Sequence, residues 1–252
     1  MKTSNALLLA GFLLVATFLV VHIARAKGKA LAPLELSGER VTKTYDLPAL
    51  KHLDLEGPIR LILTAGLPSV TIEADAAQME HLTDQDDVPD KLTLRLPRGN
   101  GDVTDAEMIV ARVSSPALRR VQMSGRNELQ FSAPLDYGYL DLDLSGGTVV
   151  DLAFTRVDSL YVDGSGSLRG MLRGAGGLVE ISGSGSTDLD ASELRARQAS
   201  VSVSGSATVR IHADSTLDVR GSGSTNVRYS GQPRLTTKVS GSSSVEAVDV
   251  LQ

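Results

Sequence analysis

The sequence predicts an all-β protein: a β-solenoid of about seven coils, preceded by a β-rich part made of short strands. Three observations predict it. From residue 121 onward a unit of the form apolar–x–apolar–x–Gly recurs seven times, the last copy with Thr237 in place of its first apolar residue. Between residues 40 and 120, runs of four to six residues alternate apolar and polar with turn residues between them. The glycines, 24 in all, cluster after residue 120 and are followed by small residues.

The chain opens on Lys2 and an apolar run from Ala6 to Val21, followed by His22-Ile23-Ala24-Arg25-Ala26-Lys27. Ala24-Arg25-Ala26 has the small–x–small form of a signal-peptide cleavage site. Counted on to Ala24 the run is long enough to span a bilayer, and Arg25, Lys27 and Lys29 behind it resist translocation. Residues 1–26 therefore read as an uncleaved signal-anchor, with a cleaved signal peptide as the alternative. Either way the rest is expected outside the cytoplasm: in the periplasm or at the cell surface, anchored by one N-terminal helix, or secreted after cleavage. Residues 27–39, with Pro33 and Gly38, read as a linker.

Residues 40–120 form the β-rich N-terminal part. Lys51–Leu55, Ile59–Leu63, Val70–Ile72 and Leu92–Leu96 carry the period of two expected of half-buried strands. Gly57-Pro58, Gly66-Leu67-Pro68 and Pro97-Arg98-Gly99 punctuate them. Ala76–Leu82 is expected as a short helix, Asp84–Asp90 as a solvated acidic loop, and Met108–Val113 as a further strand.

Residues 121–252 carry the repeat. Its copies end on Gly125, Gly146, Gly164, Gly183, Gly205, Gly221 and Gly241. Val-Gln-Met-Ser, Leu-Asp-Leu-Ser, Leu-Tyr-Val-Asp and Val-Glu-Ile-Ser precede the first four. One coil cannot bury its apolar residues alone, whereas stacked coils form a continuous core. Glycine permits positive φ and close backbone approach at each sharp corner. Seven coils at a strand spacing of about 4.8 Å make a rod of roughly 30 Å. Val162, Ile181, Val203 and Val219 are expected to point into the core, and aligned Ser/Thr side chains to hydrogen-bond from coil to coil. The last segment, Val245–Gln252, with Val248 and Val250, is too short to cap the stack and is expected to leave an edge open to self-association.

The Gly-Ser-Gly-Ser tracts, with Val41-Thr-Lys-Thr-Tyr45, Leu50–Gly57 and Ile59–Leu63 ahead of them, resemble the head GIN domain family of autotransporter adhesins. The resemblance covers about residues 40–250. It implies a right-handed single-stranded β-helix and transfers no catalytic residues.

The sequence carries no recognisable catalytic motif. No cysteine is present, which excludes disulfides, cysteine-ligated metals and a thiol nucleophile. Net charge is −5, so no nucleic-acid partner is expected. Aromatics are 4% with no Trp, a poor supply of stacking platforms for sugars or bases. His22, His52, His81 and His212 have no metal-ligand spacing and read as surface or capping residues. His212, near a Gly-Ser corner, is the one conceivable base for a serine nucleophile. Asp141/Asp143 and Asp188/Asp190 read as solvent-facing strand positions rather than calcium ligands. No catalytic, cofactor-binding or metal-binding residue is assigned, and no cofactor is expected. The expected function is a non-enzymatic envelope or surface module for adhesin-like binding or scaffolding. Its expected partners are the membrane, through an uncleaved leader, and an envelope protein or a glycan. An inner-membrane-anchored signalling accessory and a carbohydrate-active β-helix enzyme are the alternatives.

Overall fold

The computed structural model describes residues 34–85, 90–96 and 108–248. Apart from Leu34, these belong to the unit formed by Glu35–Pro97 and Val103–Gln252. The leader of residues 1–26 and Val250 lie outside the described residues. Among the described residues no helix is long and apolar enough to cross a membrane.

The described chain is all-β apart from one short helix. In order, the elements are β1 (Arg40–Tyr45), β2 (His52–Glu56), β3 (Ile59–Leu63), β4 (Ser69–Asp75), α1 (Ala76–His81), β5 (Thr83–Gln85), β6 (Lys91–Arg95) and β7 (Ile109–Ser114). Then come β8 (Arg120–Phe131), β9 (Leu135–Ser230), β10 (Arg234–Gly241) and β11 (Ser244–Ala247), all in one sheet.

The alternating patterns become strands with alternate burial: β2 and β3 turn Leu53, Leu55, Ile59, Leu61 and Leu63 inward. Helix α1 starts at Asp75, which caps the Ala77 amide, while Gln78 reaches back to the Asp75 amide as a capping box. Ser37 and Gly38, read from sequence as linker, are tied down by the same carboxylate, with amide nitrogens 3.0 and 2.7 Å from its oxygens. Asp84, expected in a loop, lies in β5 and accepts from Lys43 and from the Tyr45 hydroxyl.

Parallel stacking begins before the repeat. The first half of β8 pairs in parallel with β2 and its second half with β3. On their other edges β2 and β3 pair with β6 and β7. Spatial order thus departs from chain order, because β2 and β3 lie between β6/β7 and β8. Antiparallel strands close this end: β5 on β6, β4 on β7, and β1 on β4. Edge backbone groups that a parallel stack leaves free are paired there.

β9, at 96 residues, is far too long to run straight. It passes over itself. A Cβ built on Gly166 would lie 2.5 Å from the Gly146 carbonyl oxygen, one on Gly205 2.5 Å from that of Gly185, and one on Gly223 2.6 Å from that of Gly205. The stacked glycines are Gly57, Gly125, Gly146, Gly166, Gly185, Gly205, Gly223 and Gly241, all with positive φ. From Gly125 on they are 21, 20, 19, 20, 18 and 18 residues apart. Only glycine allows one pass to lie this close to the next.

This corrects the sequence alignment. Gly164, Gly183 and Gly221 are not the corner glycines of their passes; Gly166, Gly185 and Gly223 are. The three displaced glycines lie two residues earlier, on the buried side, where a Cβ would meet Leu168, Thr187 and Thr225 respectively. Val162, Ile181, Val203 and Val219 do point inward, at 4% exposure or less. They belong to one core cluster that runs from Tyr45 to Val227.

Among the described residues the expected hydroxyl ladder between passes is largely absent. Thr148 and Thr225 are buried with hydroxyls that bond to no protein group. Ser145 Oγ donates to the Met123 carbonyl at 3.4 Å. Backbone bonds and apolar side chains hold the passes together instead.

Candidate functional site

The residue before each corner glycine is a serine in every pass from β8 on: Ser124, Ser145, Ser165, Ser184, Ser204, Ser222 and Ser240. Alternation dictates that this position and the one two residues earlier face outward. Between these two outward columns runs a groove of 560 Å³. One wall is Asp163, Ser182, Ser202, Arg220 and Lys238, and the other is Ser184, Ser204, Ser222 and Ser240. Successive passes supply successive members, so the groove crosses the strands.

The serines are small and leave the groove floor close to the backbone, at Gly183 and Gly221. Its charge is uneven. Asp163 stands at one end, and Arg220 and Lys238 at the other. Arg220 holds Asp218 of its own pass at 2.9 Å. Among the described residues Asp163 and Lys238 make no ion pair. The arrangement offers hydroxyl donors and acceptors along its length and unspent charge at its ends.

The acidic pairs singled out from sequence lie elsewhere. Arg120 sits 3.6 Å from both Asp141 and Asp143, and Gln122 donates to Asp143 at 3.0 Å. Asp188 is exposed, while Asp190 is 3.5 Å from Arg210 and accepts from Ser192. Among the described residues no three acidic or histidine side chains converge as metal ligands. His81 bonds the Ala77 carbonyl within its own helix.

His212 does meet a serine and a carboxylate. Its Nδ1 lies 2.9 Å from Ser230 Oγ and its Nε2 3.0 Å from Asp214 Oδ1. The accessibilities are inverted for nucleophilic catalysis: Ser230 is 6% exposed, while the Asp214 side chain is 60% exposed. A nucleophile has to reach substrate, and the orienting carboxylate works from a shielded position. This trio closes a corner of the chain.

The last pass lies open. Every residue of β10 is exposed, and its one strand partner among the described residues is β9. Leu235, Val239 and Val248 are 37%, 40% and 42% exposed, whereas Leu217, the β9 partner of Leu235, is buried.

Sequence reading missed the Asp163–Lys238 column because the two-residue slip in three passes placed its members out of line. The signal was present in the more even spacing that Gly166, Gly185 and Gly223 give.

The fold and groove define a class, an all-β domain with an outward polar face and no assembled catalytic set among the described residues. Residues 49–233 match the family described as "Putative auto-transporter adhesin, head GIN domain", and the chain belongs to that family. Its fold is shared by solved structures. A "putative adhesin" of Bacteroides fragilis NCTC 9343 superposes with a TM-score of 0.71 at 17% identity, covering 85% of this chain and 98% of that one. A "putative adhesin" of Parabacteroides merdae ATCC 43184 gives 0.62 at 21%, covering 84% and 97%. A "putative lipid binding protein" of Parabacteroides distasonis ATCC 8503 gives 0.61 at 15%, covering 84% and 98%. No curated protein matches the chain.

Proposed function

We propose that this protein is a non-enzymatic, adhesin-like binding module of the cell envelope. It presents the serine-lined groove on a right-handed solenoid of about seven coils. The groove carries the reading: at least five passes contribute to one outward face, and among the described residues its end residues Asp163 and Lys238 make no ion pair. The regular glycine stack and the parallel pairing of β10 on β9 support the solenoid. Family membership and two neighbours named as adhesins support both surface binding and a place outside the cytoplasm. Ser230 is buried and Asp214 exposed on either side of His212, which argues against hydrolysis by that trio. Residues 1–26 serve as the membrane anchor, and the open edge of β10 and β11 takes a strand from a second copy.

The test is attachment. Full-length chain, carrying Leu235→Lys and Val248→Lys to block the open edge and fluorescently labelled, is titrated onto immobilised envelope fragments and onto surfaces coated with that same chain. Saturable binding to either, lost in Ser184→Arg/Ser204→Arg with the melting temperature unchanged, is the expected result. Binding to neither, or binding that survives the two arginines, overturns the reading.

A further inference from the structure

We propose that the occupant of the groove is a second copy of this chain, docked face to face with its passes in the opposite order. The inference rests on the groove being the binding face.

The outer wall of the groove is graded in charge. Read along the stack, the column runs Asp163, Ser182, Ser202, Arg220, Lys238, from an anion through two small hydroxyls to two cations. At a strand spacing of about 4.8 Å, these five positions span roughly 19 Å. Such a column is complementary to itself when reversed. A two-fold axis along the strand direction through Ser202 sets Asp163 opposite the partner's Lys238 and Lys238 opposite the partner's Asp163. Ser182 then faces the partner's Arg220, and Ser202 meets its own counterpart on the axis. Each contact occurs twice, as a two-fold interface requires.

The residues around the column bear on this choice. Asp163 and Lys238, which the axis brings together, have no ion-pair partner within their own described chain. The neighbouring column of Ser184, Ser204 and Ser222 has no bulky side chain to hold two faces apart. One contact is unfavourable: Glu180, next to Ser182 in the pass, faces the partner's Asp218. Arg220, 2.9 Å from Asp218, offsets that charge. Docking with the passes in the same order would set Asp163 on Asp163 and Lys238 on Lys238. Like charges in register suppress that arrangement. A stacked sugar fits less well, because no aromatic ring lines the groove. Surface ion pairs are weak and screened by salt, so the contact is reversible and salt-sensitive.

The chain has no cysteine, so one introduced thiol reports one position. Full-length chains carrying Ser202→Cys, expressed in cells under mild oxidation, are expected to form disulfide-linked dimers. The rate should be at least several-fold above that of Asp188→Cys, an exposed residue beyond the corner. Adding Asp163→Lys or Lys238→Asp should bring dimer yield down to the Asp188→Cys level. Co-expressing those two variants, each with Ser202→Cys, should restore it, because every contact then joins a lysine to an aspartate. Both positions are exposed, and the melting temperature checks each fold. Asp163→Asn replaces any variant that fails to fold and should lower the yield. Ser202→Cys dimers no faster than Asp188→Cys dimers, or a yield indifferent to both charge changes, overturn the proposal. If the groove binds another molecule while Ser202→Cys stays monomeric, the second copy is excluded and the binding face stands. If substitutions in the groove change no binding at all, both fall.

Discussion

Gly164 and Leu168 share one space: a Cβ built on Gly164 would lie 2.7 Å from Leu168 Cδ2. The two flank the corner glycine Gly166, and Leu168, 2% exposed, swings over the corner into the room that Gly164 leaves. Other passes divide the same volume differently. Gly183 faces Thr187 and Gly221 faces Thr225, while Val203 is matched with the small Ala207. In these passes a glycine or alanine on one side of the corner makes room for the side chain on the other.

This reciprocity predicts a rescue. Leu168→Ala should destabilise by about 2–5 kcal/mol, as a buried large-to-small change does. Gly164 does not have a positive φ, so a side chain is tolerated there once Leu168 is gone. Gly164→Val with Leu168→Ala copies the Val203/Ala207 division and should recover more than half of the loss. Denaturant midpoints of the three variants measure it, and a double variant no better than Leu168→Ala would contradict the shared space.

The corner glycines should behave differently from their neighbours. Gly205 has φ +95° and no room, with the Gly185 carbonyl oxygen 2.5 Å from its would-be Cβ. Gly147 has nothing within 4 Å. Gly205→Ala should cost about 1–3 kcal/mol in backbone strain alone, with the steric clash added to it. Gly147→Ala should stay near neutral. Thermal melts of the pair decide it.

Asp75 makes the N-terminal region acid-sensitive. Burial pushes its carboxyl up, but amide hydrogens of Ser37, Ala77 and Gly38 and the Ser37 hydroxyl together hold it below the ordinary 3.8. A carboxyl lowered by folding stabilises the native state above its unfolded value, and that stability is lost as pH falls through the folded value. Stability should therefore decline below about pH 4 in the wild type. In Asp75→Asn this part of the decline should be missing, with the whole curve lowered. Melting temperatures from pH 2 to 7 are the check.

The open edge carries a separate expectation. Leu235→Lys with Val248→Lys should reduce association of the full-length chain in sedimentation while leaving its melting temperature within a few degrees. Unchanged sedimentation would remove the edge as a docking surface.

Most strands and the inward residues were legible in the sequence, because alternation over Ile59–Leu63 or Val201–Val203 has one physical solution when one face is buried. Family membership was legible in the Gly-Ser tracts. The register was not. In Gly164-Ser-Gly166 two glycines serve different purposes, one making room for Leu168 and the other letting passes approach, and composition cannot tell them apart. The placement of β2 and β3 between β6/β7 and β8 was also hidden, since it is a matter of long-range pairing. The groove's charge column depended on the register alone.

The groove exists only in the stacked-glycine register, and one disulfide measurement tests that register most directly. Parallel neighbours have Cα atoms within the 4.4–6.8 Å or so that a disulfide spans, and a two-residue slip takes them beyond it. In the cysteine-free chain, Ser184→Cys/Ser204→Cys pairs the residues that precede corner glycines Gly185 and Gly205. Ser182→Cys/Ser204→Cys pairs the residues that the repeat alignment alone would match. Intact mass under mild oxidation should show rapid intrachain disulfide formation in the first variant and little in the second. Faster closure of the second would contradict the stacked-glycine register and the groove built on it.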